Sequence, residues 1–236
     1  MRRLFAVAVV AAIAAAGYQL WLRDSSLVAV RDVTVTGVSS AESREVRAAL
    51  TEAARGMTTL HVREDELRAA AAGFPTVDSV SVDARFPNGL AIEVREREPV
   101  ALIEASGRDL PVAGDGMLLP GISTAGLELP AIEAPRVDPS AKRAGDEALD
   151  QARVLGAAPS PLRPLIERAS VDDRGTVLEL SDGIVLVFGD PSERPAKWAA
   201  AARILADREL GGLSYIDLRA PDRPAVGGAS AAPGAL

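Results

Sequence analysis

An uninterrupted apolar segment at residues 4–22, LFAVAVVAAIAAAGYQLWL, is the feature that most limits how this chain is organised. At about 1.5 Å per residue, a helix of this length reaches about 30 Å, the thickness of the hydrocarbon core of a bilayer. Two arginines precede the segment, and Tyr18 and Trp21 lie near its far end, where aromatic rings favour the headgroup layer. The sequence therefore predicts a transmembrane helix at residues 4–22, a cytoplasmic stub at residues 1–3, and the rest of the chain outside the cytoplasm.

The alternative for this segment is a cleaved secretory signal peptide. Three alanines at residues 14–16 provide a small-x-small cleavage pattern after a basic start and an apolar stretch. The apolar run continues beyond them through Leu20, Trp21 and Leu22, whereas the apolar region of a signal peptide usually ends before its cleavage site. This continuation favours a membrane anchor, and both alternatives export the residues that follow.

The composition indicates an exported, foldable chain without thiol chemistry. The sequence contains no cysteine, so a hydrophobic core and not disulfides must hold the exported part together. Hydrophobic residues make up 48% of the chain, which is enough for the cores of two modest domains. The net charge of −7 argues against nucleic-acid binding, for which a basic face is expected.

A first domain of order β-α-α-β-β is predicted at residues 27–98. Apolar and polar residues alternate over residues 27–36, which predicts a strand with an interruption at its charged pair. Ser40 is a candidate cap for a helix that ends near Gly56, and a second helix is predicted over residues 63–72. Two further alternating segments flank a Pro-Asn-Gly turn and predict an antiparallel hairpin.

A second domain, a mixed β-sheet with helices, is predicted at residues 99–226. Short apolar segments are separated there by Gly, Pro and Asp, and the last of its helices carries Trp198 on the inward face. A closing strand is predicted over residues 213–219. The small-residue segment 227–236 is predicted to be a disordered tail. The fold class is therefore α+β.

Four motifs in the first domain resemble the POTRA domain of FtsQ-type proteins. They are a Gly-x-x-x-Leu loop, a Pro-x-Val segment, an Arg-aromatic-Pro-x-x-Leu hairpin and a closing Glu-Arg-x-Pro-Val-Ala, at residues 56–60, 75–77, 85–90 and 96–101. In FtsQ/DivIB proteins a Tyr-apolar-Asp-apolar-Arg segment closes the β-domain, and residues 215–219 read Tyr-Ile-Asp-Leu-Arg. The resemblance covers nearly all of residues 4–226. It departs from the family in the very short cytoplasmic stub and at Ala220, where several relatives have an aromatic residue.

This resemblance implies a divisome scaffold without catalytic activity. Members of the FtsQ/DivIB family bind the single-pass division proteins FtsB/DivIC and FtsL near the C-terminal strand of the β-domain. The resemblance also implies a single-pass protein of the plasma (inner) membrane at the division septum, with its N-terminus in the cytoplasm. The resemblance leaves open whether other divisome proteins also bind the POTRA domain.

The residues themselves contain no recognisable catalytic or metal-binding pattern. His61 is the only histidine, so a catalytic triad or a multi-histidine zinc site would have to be built around one loop position. Asp115, Asp172 and Asp173 lie close to glycines, where turns are expected, and lack the spacing of a calcium-binding loop. We therefore expect no metal, no cofactor and no enzymatic activity, and a chain that binds other proteins.

The segment after the last helix is the candidate binding site. A strand over residues 215–219 at a sheet edge would expose unpaired backbone groups to which a partner strand can add. The alternative is that this strand is internal, and its apolar residues would serve a core in both cases. The candidate partner-binding residues are Tyr215, Asp217, Arg219, Ala220, Asp222 and Arg223.

Two other function classes remain open at this point. An exported POTRA-type chaperone or translocation adaptor would use the same fold to capture extended polypeptides, but repeated POTRA units would be expected and the sequence shows one. An envelope enzyme would require a cluster of titratable residues, and the sequence motifs point to none.

Overall fold

The computed structural model describes residues 23–134, 137–138, 141–207 and 212–228, and the chain divides into two compact units, Met1–Arg97 and Glu98–Leu236. The predicted transmembrane segment at residues 4–22 lies outside the described residues. Within the described ranges, no helix has the length and apolar character needed to cross a membrane.

The first unit contains a three-stranded sheet and two helices. Its elements in chain order are β1 (Asp32–Thr36), α1 (Ser43–Arg55), α2 (Glu64–Ala71), β2 (Val77–Arg85) and β3 (Gly89–Glu96), which is the predicted order. The central strand is β3, which pairs in parallel with β1 and antiparallel with β2.

The helices of the first unit bury one apolar face each. In α1, Val46, Leu50 and Ala54 recur every four residues, and each is 0% exposed. Residues at this spacing lie on one side of a helix. Leu67 of α2 and Ile92 of β3 belong to the same cluster, so the core follows the periodicity of the sequence.

The predicted helix cap at Ser40 is wrong. Helix α1 begins at Ser43, and its N-cap residue, Glu42, makes no capping hydrogen bond with its side chain. The amides of Ser39 and Ser40 each donate to the carboxylate of Glu96 at 3.0 Å. A carboxylate that is distant in sequence therefore fixes the chain before the helix, and sequence-local capping rules cannot anticipate this contact.

The first strand is shorter than predicted, because residues 23–31 are bound to two loops. The carbonyl of Arg23 accepts a hydrogen bond from the Thr58 hydroxyl at 2.5 Å. The side-chain amide of Asn88 donates to the carbonyls of Leu27 and Ala29 at 3.0 and 2.7 Å. Strand β1 consequently begins only at Asp32, within the charged pair that interrupts the alternation.

The second unit contains one mixed sheet of eight strands. Its elements are β4 (Pro99–Ala105), β5 (Arg108–Ala113), β6 (Ala131–Ile132), α3 (Asp146–Gly156), a 3-10 helix (Arg163–Leu165), β7 (Ile166–Asp172), β8 (Gly175–Leu180), β9 (Val185–Gly189), α4 (Arg194–Ala206), β10 (Leu213–Asp217) and β11 (Ala225–Gly228). Across the sheet the order is β11-β10-β9-β8-β7-β6-β4-β5. Strand β10 is parallel to β9, and β6 is parallel to β4 and β7, while the other pairs are antiparallel.

Trp198 joins the last helix to the rest of the second unit. Its side chain is 1% exposed, which confirms the predicted inward position. The ring lies 4.8 Å from the ring of Phe188 on β9, tilted by 53°. Its Nε1 donates a hydrogen bond to the carbonyl of Val154 on α3 at 2.9 Å. One side chain therefore holds α4 against both the sheet and the neighbouring helix.

Candidate functional site

The one histidine lies on a loop, as expected, and pairs with a carboxylate. Nδ1 of His61 lies 3.1 Å from Oδ1 of Asp24, and the histidine side chain is 32% exposed. In the described part of the chain, no group of three or more His, Cys, Asp or Glu side chains is placed to hold a metal ion. The candidate binding residues after the last helix are therefore the site to describe.

The candidate residues form the end of one strand and the turn after it. Tyr215 and Asp217 belong to β10, and both are partly exposed. The amide of Arg223 donates to the carbonyl of Ala220 at 2.9 Å, which closes a turn. Ala220, Asp222 and Arg223 are exposed in that turn. Some of the candidate residues therefore lie in strand β10 and the others in the turn that follows it.

The expectation that residues 215–219 form the sheet edge is wrong. Strand β10 lies between β9 and β11, and Ile216 pairs with Leu186 on one side and with Val226 on the other. After the turn, the chain runs back along β10 and forms one more strand, β11, which pairs with β10 in antiparallel orientation. Gly227 and Gly228 belong to that strand and not to a tail, whereas residues 229–236 lie outside the described residues. The internal-strand alternative is therefore correct, and β11 is the edge.

Hydrogen bonding fixes the orientation of the backbone in β10. The amide of Leu218, just after the strand, donates to the carbonyl of Val187 in β9 at 2.8 Å. Successive residues of a strand direct their backbone groups to opposite sides within the sheet plane. Because Leu218 faces β9, the backbone groups of Asp217 and Tyr215 face β11.

The same alternation identifies the backbone groups on the open side of β11. Tyr215 pairs with Gly227, and Asp217 pairs with Ala225. Val226 lies between these two inward-facing positions, so its N–H and C=O point away from β10. Its side chain is also 41% exposed. Val226 is thus the central residue of the open edge.

The ring of Tyr215 covers a glycine of the edge strand. Gly227 is buried, and a Cβ at this position would overlap with Cε1 of the Tyr215 ring. The ring therefore packs directly on the backbone of β11, and only glycine permits this approach. Tyr215 supports the edge from its neighbouring strand.

A bidentate ion pair stands at the end of β10. The Nη2 of Arg219 lies 2.6 Å from Oδ2 of Asp217, and the Arg219 amide also donates to Oδ1 of that carboxylate at 3.1 Å. The hydrogen bond from the Arg219 side chain lowers the pKa of Asp217, although burial acts in the opposite direction. Asp172 and Arg174 form a similar pair, also at 2.6 Å, in the turn between β7 and β8. Both pairs are partly exposed, so this end of the sheet carries ordered charges of both signs.

The opposite edge of the same sheet is largely closed. Strand β5 contains Pro111, which has no amide to donate. The Pro111 carbonyl accepts from the amide of Leu119 at 2.8 Å, and the amide of Ala113 donates to the carbonyl of Met117 at 2.9 Å. A returning segment therefore occupies the outer side of β5, and among the described residues β11 has no such cover.

Sequence reasoning missed Ala225 and Val226 as residues of the sheet edge. The strand they begin has the sequence Ala-Val-Gly-Gly, which is too short to show alternation and ends in two residues that disfavour strands. The only local signal is the turn sequence Ala-Pro-Asp-Arg that precedes it. That signal predicts a reversal of the chain, and a reversal after a strand favours a further antiparallel strand.

Two family models match the chain. Residues 28–97 match the FtsQ-type POTRA domain, and residues 101–219 match the C-terminal region of the cell-division protein FtsQ/DivIB. The second match includes β10 and ends before β11.

Several curated relatives named cell division protein FtsQ are similar over most of the chain. The protein of Streptomyces bingchenggensis is 32% identical over 234 residues, which cover 95% of this chain and 86% of the relative. That of Streptomyces venezuelae is 30% identical over 215 residues, covering 89% and 78%. A more partial match, to the protein of Novosphingobium aromaticivorans, is 32% identical over 179 residues, 72% of this chain and 51% of the relative.

Proposed function

The chain belongs to the FtsQ family of cell-division proteins, and from that membership we propose that it is a non-catalytic scaffold which binds other septal membrane proteins. The family supports a role in cell division. In the proposal, residues 4–22 anchor the chain in the plasma membrane with the N-terminus in the cytoplasm, and both units lie outside at the division septum. The predicted domain boundaries, residues 27–98 for the POTRA domain and 99–226 for the β-domain, define the parts of this scaffold.

The proposed partners are single-pass division proteins of the FtsB/DivIC and FtsL type. They would bind the second unit by adding a strand to β11. The POTRA domain remains available for other divisome proteins. No step of this function requires a cofactor or a metal.

The open edge of β11 is the observation that carries the proposal. The N–H and C=O of Val226 point outward, and an unpaired edge of this kind is a template for a partner strand. The opposite edge, at β5, is occupied by residues 117–119 of the same chain. A partner strand is therefore expected to add to this sheet at β11 and not at β5.

The side chains beside β11 are suited to selecting the partner. Asp222 and Arg223, in the turn, make no side-chain hydrogen bond or ion pair with the part of the chain that the structure describes, so both charges remain available. Arg219 is held by Asp217, with a side chain that is still 52% exposed. A partner with charges of the complementary order would be favoured over one with the reverse order.

The direct test is a proline at the centre of the open edge. Val226→Pro removes an outward donor without removing a hydrogen bond to β10. We expect it to weaken capture of the FtsB/DivIC-like partner about five- to thirtyfold, since the lost donor and the disturbed pairing beside it cost roughly 1–2 kcal/mol. The measurement is titration of full-length protein with the partner, with circular dichroism to establish that the variant is folded.

Two control variants separate backbone pairing from other effects. Val226→Ala shortens the same side chain but keeps the donor, so it should weaken binding much less than the proline variant. Ala220→Pro adds a proline in the turn, outside the edge strand, so pairing at β11 should persist and any loss of binding should be smaller than for Val226→Pro. Undiminished binding by folded Val226→Pro would contradict strand addition at β11 and direct the search to the POTRA domain.

A further inference from the structure

Two large apolar side chains stand out on the surface of the first unit. Phe86 is 72% exposed and Leu27 is 61% exposed, the highest values among the large hydrophobic residues that the structure describes as exposed. Phe86 lies at the tip of the β2–β3 hairpin, and Leu27 precedes β1. A largely exposed aromatic ring at a hairpin tip has no role in the core of its own unit.

Hydrogen bonds hold these two positions together. Asn88, two residues after Phe86, donates from its side-chain amide to the carbonyl of Leu27 at 3.0 Å. The carbonyl of Pro87 accepts from the hydroxyl of Thr59 at 2.8 Å. The hairpin tip is therefore fixed against the segment that contains Leu27, so Phe86 and Leu27 are exposed on neighbouring segments of the unit; the two residues are here called the tip patch.

The tip patch lies close to Arg23 and Asp24, the first described residues after the apolar segment at residues 4–22. The carbonyl of Arg23, the first residue after that segment, accepts from the Thr58 hydroxyl, and the carboxylate of Asp24 pairs with His61. The folded unit thus begins directly after Leu22 and not after a flexible linker. Leu27 is four positions after Arg23, so their Cα atoms are at most about 14 Å apart.

We propose that the tip patch rests on the surface of the bilayer that holds the anchor, with Phe86 and Leu27 in the headgroup layer. This inference depends on the anchor at residues 4–22, which is part of the proposed function. Amphipathic and aromatic groups favour this layer, which extends several ångströms beyond the hydrocarbon core. Docking would fix the orientation of the first unit relative to the membrane.

Lipid is favoured over a protein as the occupant because the patch is small and electrically mixed. Two side chains cannot provide the roughly 800 Å² per partner that a stable protein interface buries. The neighbouring charges include the exposed pair of Arg85 and Asp83, 3.6 Å apart, so no single sign dominates. A shallow apolar contact beside a fixed anchor needs neither a large area nor a net charge, since the anchor supplies the proximity.

The chain allows a clean test because it contains no cysteine. Phe86→Cys is labelled with a polarity-sensitive fluorophore in the full-length protein, which is reconstituted in vesicles of phosphatidylethanolamine and phosphatidylglycerol. Ser79→Cys is the matched control, because Ser79 is an exposed residue of strand β2, which leads into the tip, and it lies seven residues before Phe86, about 23 Å away along the strand. We expect a blue shift for the label at position 86 and quenching by lipids that carry a headgroup-level quencher, and neither effect at position 79.

Flotation of the same vesicles separates failure of the anchor from failure of the docking. Protein that does not float with the vesicles overturns the anchor and the tip contact together. Protein that floats while the label at position 86 behaves like that at position 79 overturns the docking and leaves the anchor. A blue shift without lipid quenching identifies a protein occupant, such as a second copy, and also overturns the proposal.

Discussion

Truncation of Trp198 tests whether one side chain holds helix α4 in place. The ring is 1% exposed and contacts Phe188, so Trp198→Ala removes buried area and leaves a cavity. The hydrogen bond to the Val154 carbonyl is also lost, but the amide of Ala157 still donates to that carbonyl at 3.2 Å. Packing is therefore the main loss, and we expect the free energy of unfolding of the second unit to fall by roughly 3–5 kcal/mol.

Hydrogen exchange of amides in α4 measures this effect in the second unit alone. A loss of this size lowers protection by more than about a hundredfold, since each 1.4 kcal/mol is a factor of about ten. Trp198→Phe keeps the aromatic contact and should cost only about 1–2 kcal/mol. Leu165→Ala, at a residue 42% exposed, is a control that should change protection little. A loss below about 1 kcal/mol for Trp198→Ala would refute the reasoning and make the ring a candidate for binding.

Three further predictions concern topology, the edge strand and pH. Protease added to the cytoplasmic side should leave the chain intact from Asp24 onward, and the protein should remain in the membrane fraction. Release of a shortened soluble form would instead show that the N-terminal segment is a cleaved signal peptide. Gly227→Val should displace the Tyr215 ring and weaken both β11 protection and partner binding, whereas unchanged hydrogen exchange of β11 would contradict the packing. Burial raises the pKa of Glu96, but hydrogen bonds from Ser39 and Ser40 outweigh this effect, so the pKa in the folded protein is lowered. Glu96 therefore stabilises the first unit at pH values above the pKa of its unfolded state, and this contribution is lost as the pH falls through the lower folded pKa. Acid titration of the unfolding free energy should show that loss, and Glu96→Gln should remove it; the same pH dependence in both proteins would be evidence against the assignment.

Local patterns in the sequence predict most of the helices and the central strands. The four-residue spacing in α1 and the alternation in β3 describe faces that the structure buries as expected, and Val80 and Val82 of β2 pack half-buried against the same core. Each of these elements is long enough for the spacing of its apolar residues to show a helix or strand period, and the buried residues follow that period. The β-α-α-β-β order of the first unit therefore follows from the sequence alone.

Contacts between distant residues account for what the sequence could not show. The edge position depends on whether a four-residue strand pairs with β10, and neither period nor propensity specifies that pairing. Strand β5, with Pro111 and two charged residues, likewise has a composition that argues against a strand. Lys197 would be assigned to a solvent-exposed helix face, yet it is 1% exposed, with Nζ donating to the carbonyls of Phe188 and Asp190 at 2.9 Å. In each case, polar groups that local sequence rules would leave to solvent make their hydrogen bonds with residues outside their own element.

The shortness of β11 also bears on self-association. An unpaired edge accepts any suitable strand, including the same edge of a second copy, and natural sheets counter this with short edges and interruptions. As far as the structure describes the chain, strand β11 has four residues, two of them glycine, and Pro224 directly before it has no amide to donate. Pairing between two copies over these four residues would form few hydrogen bonds at a high cost in chain entropy, so we expect little self-association through this edge. The same shortness requires a true partner to obtain much of its binding energy from side chains that flank the strand.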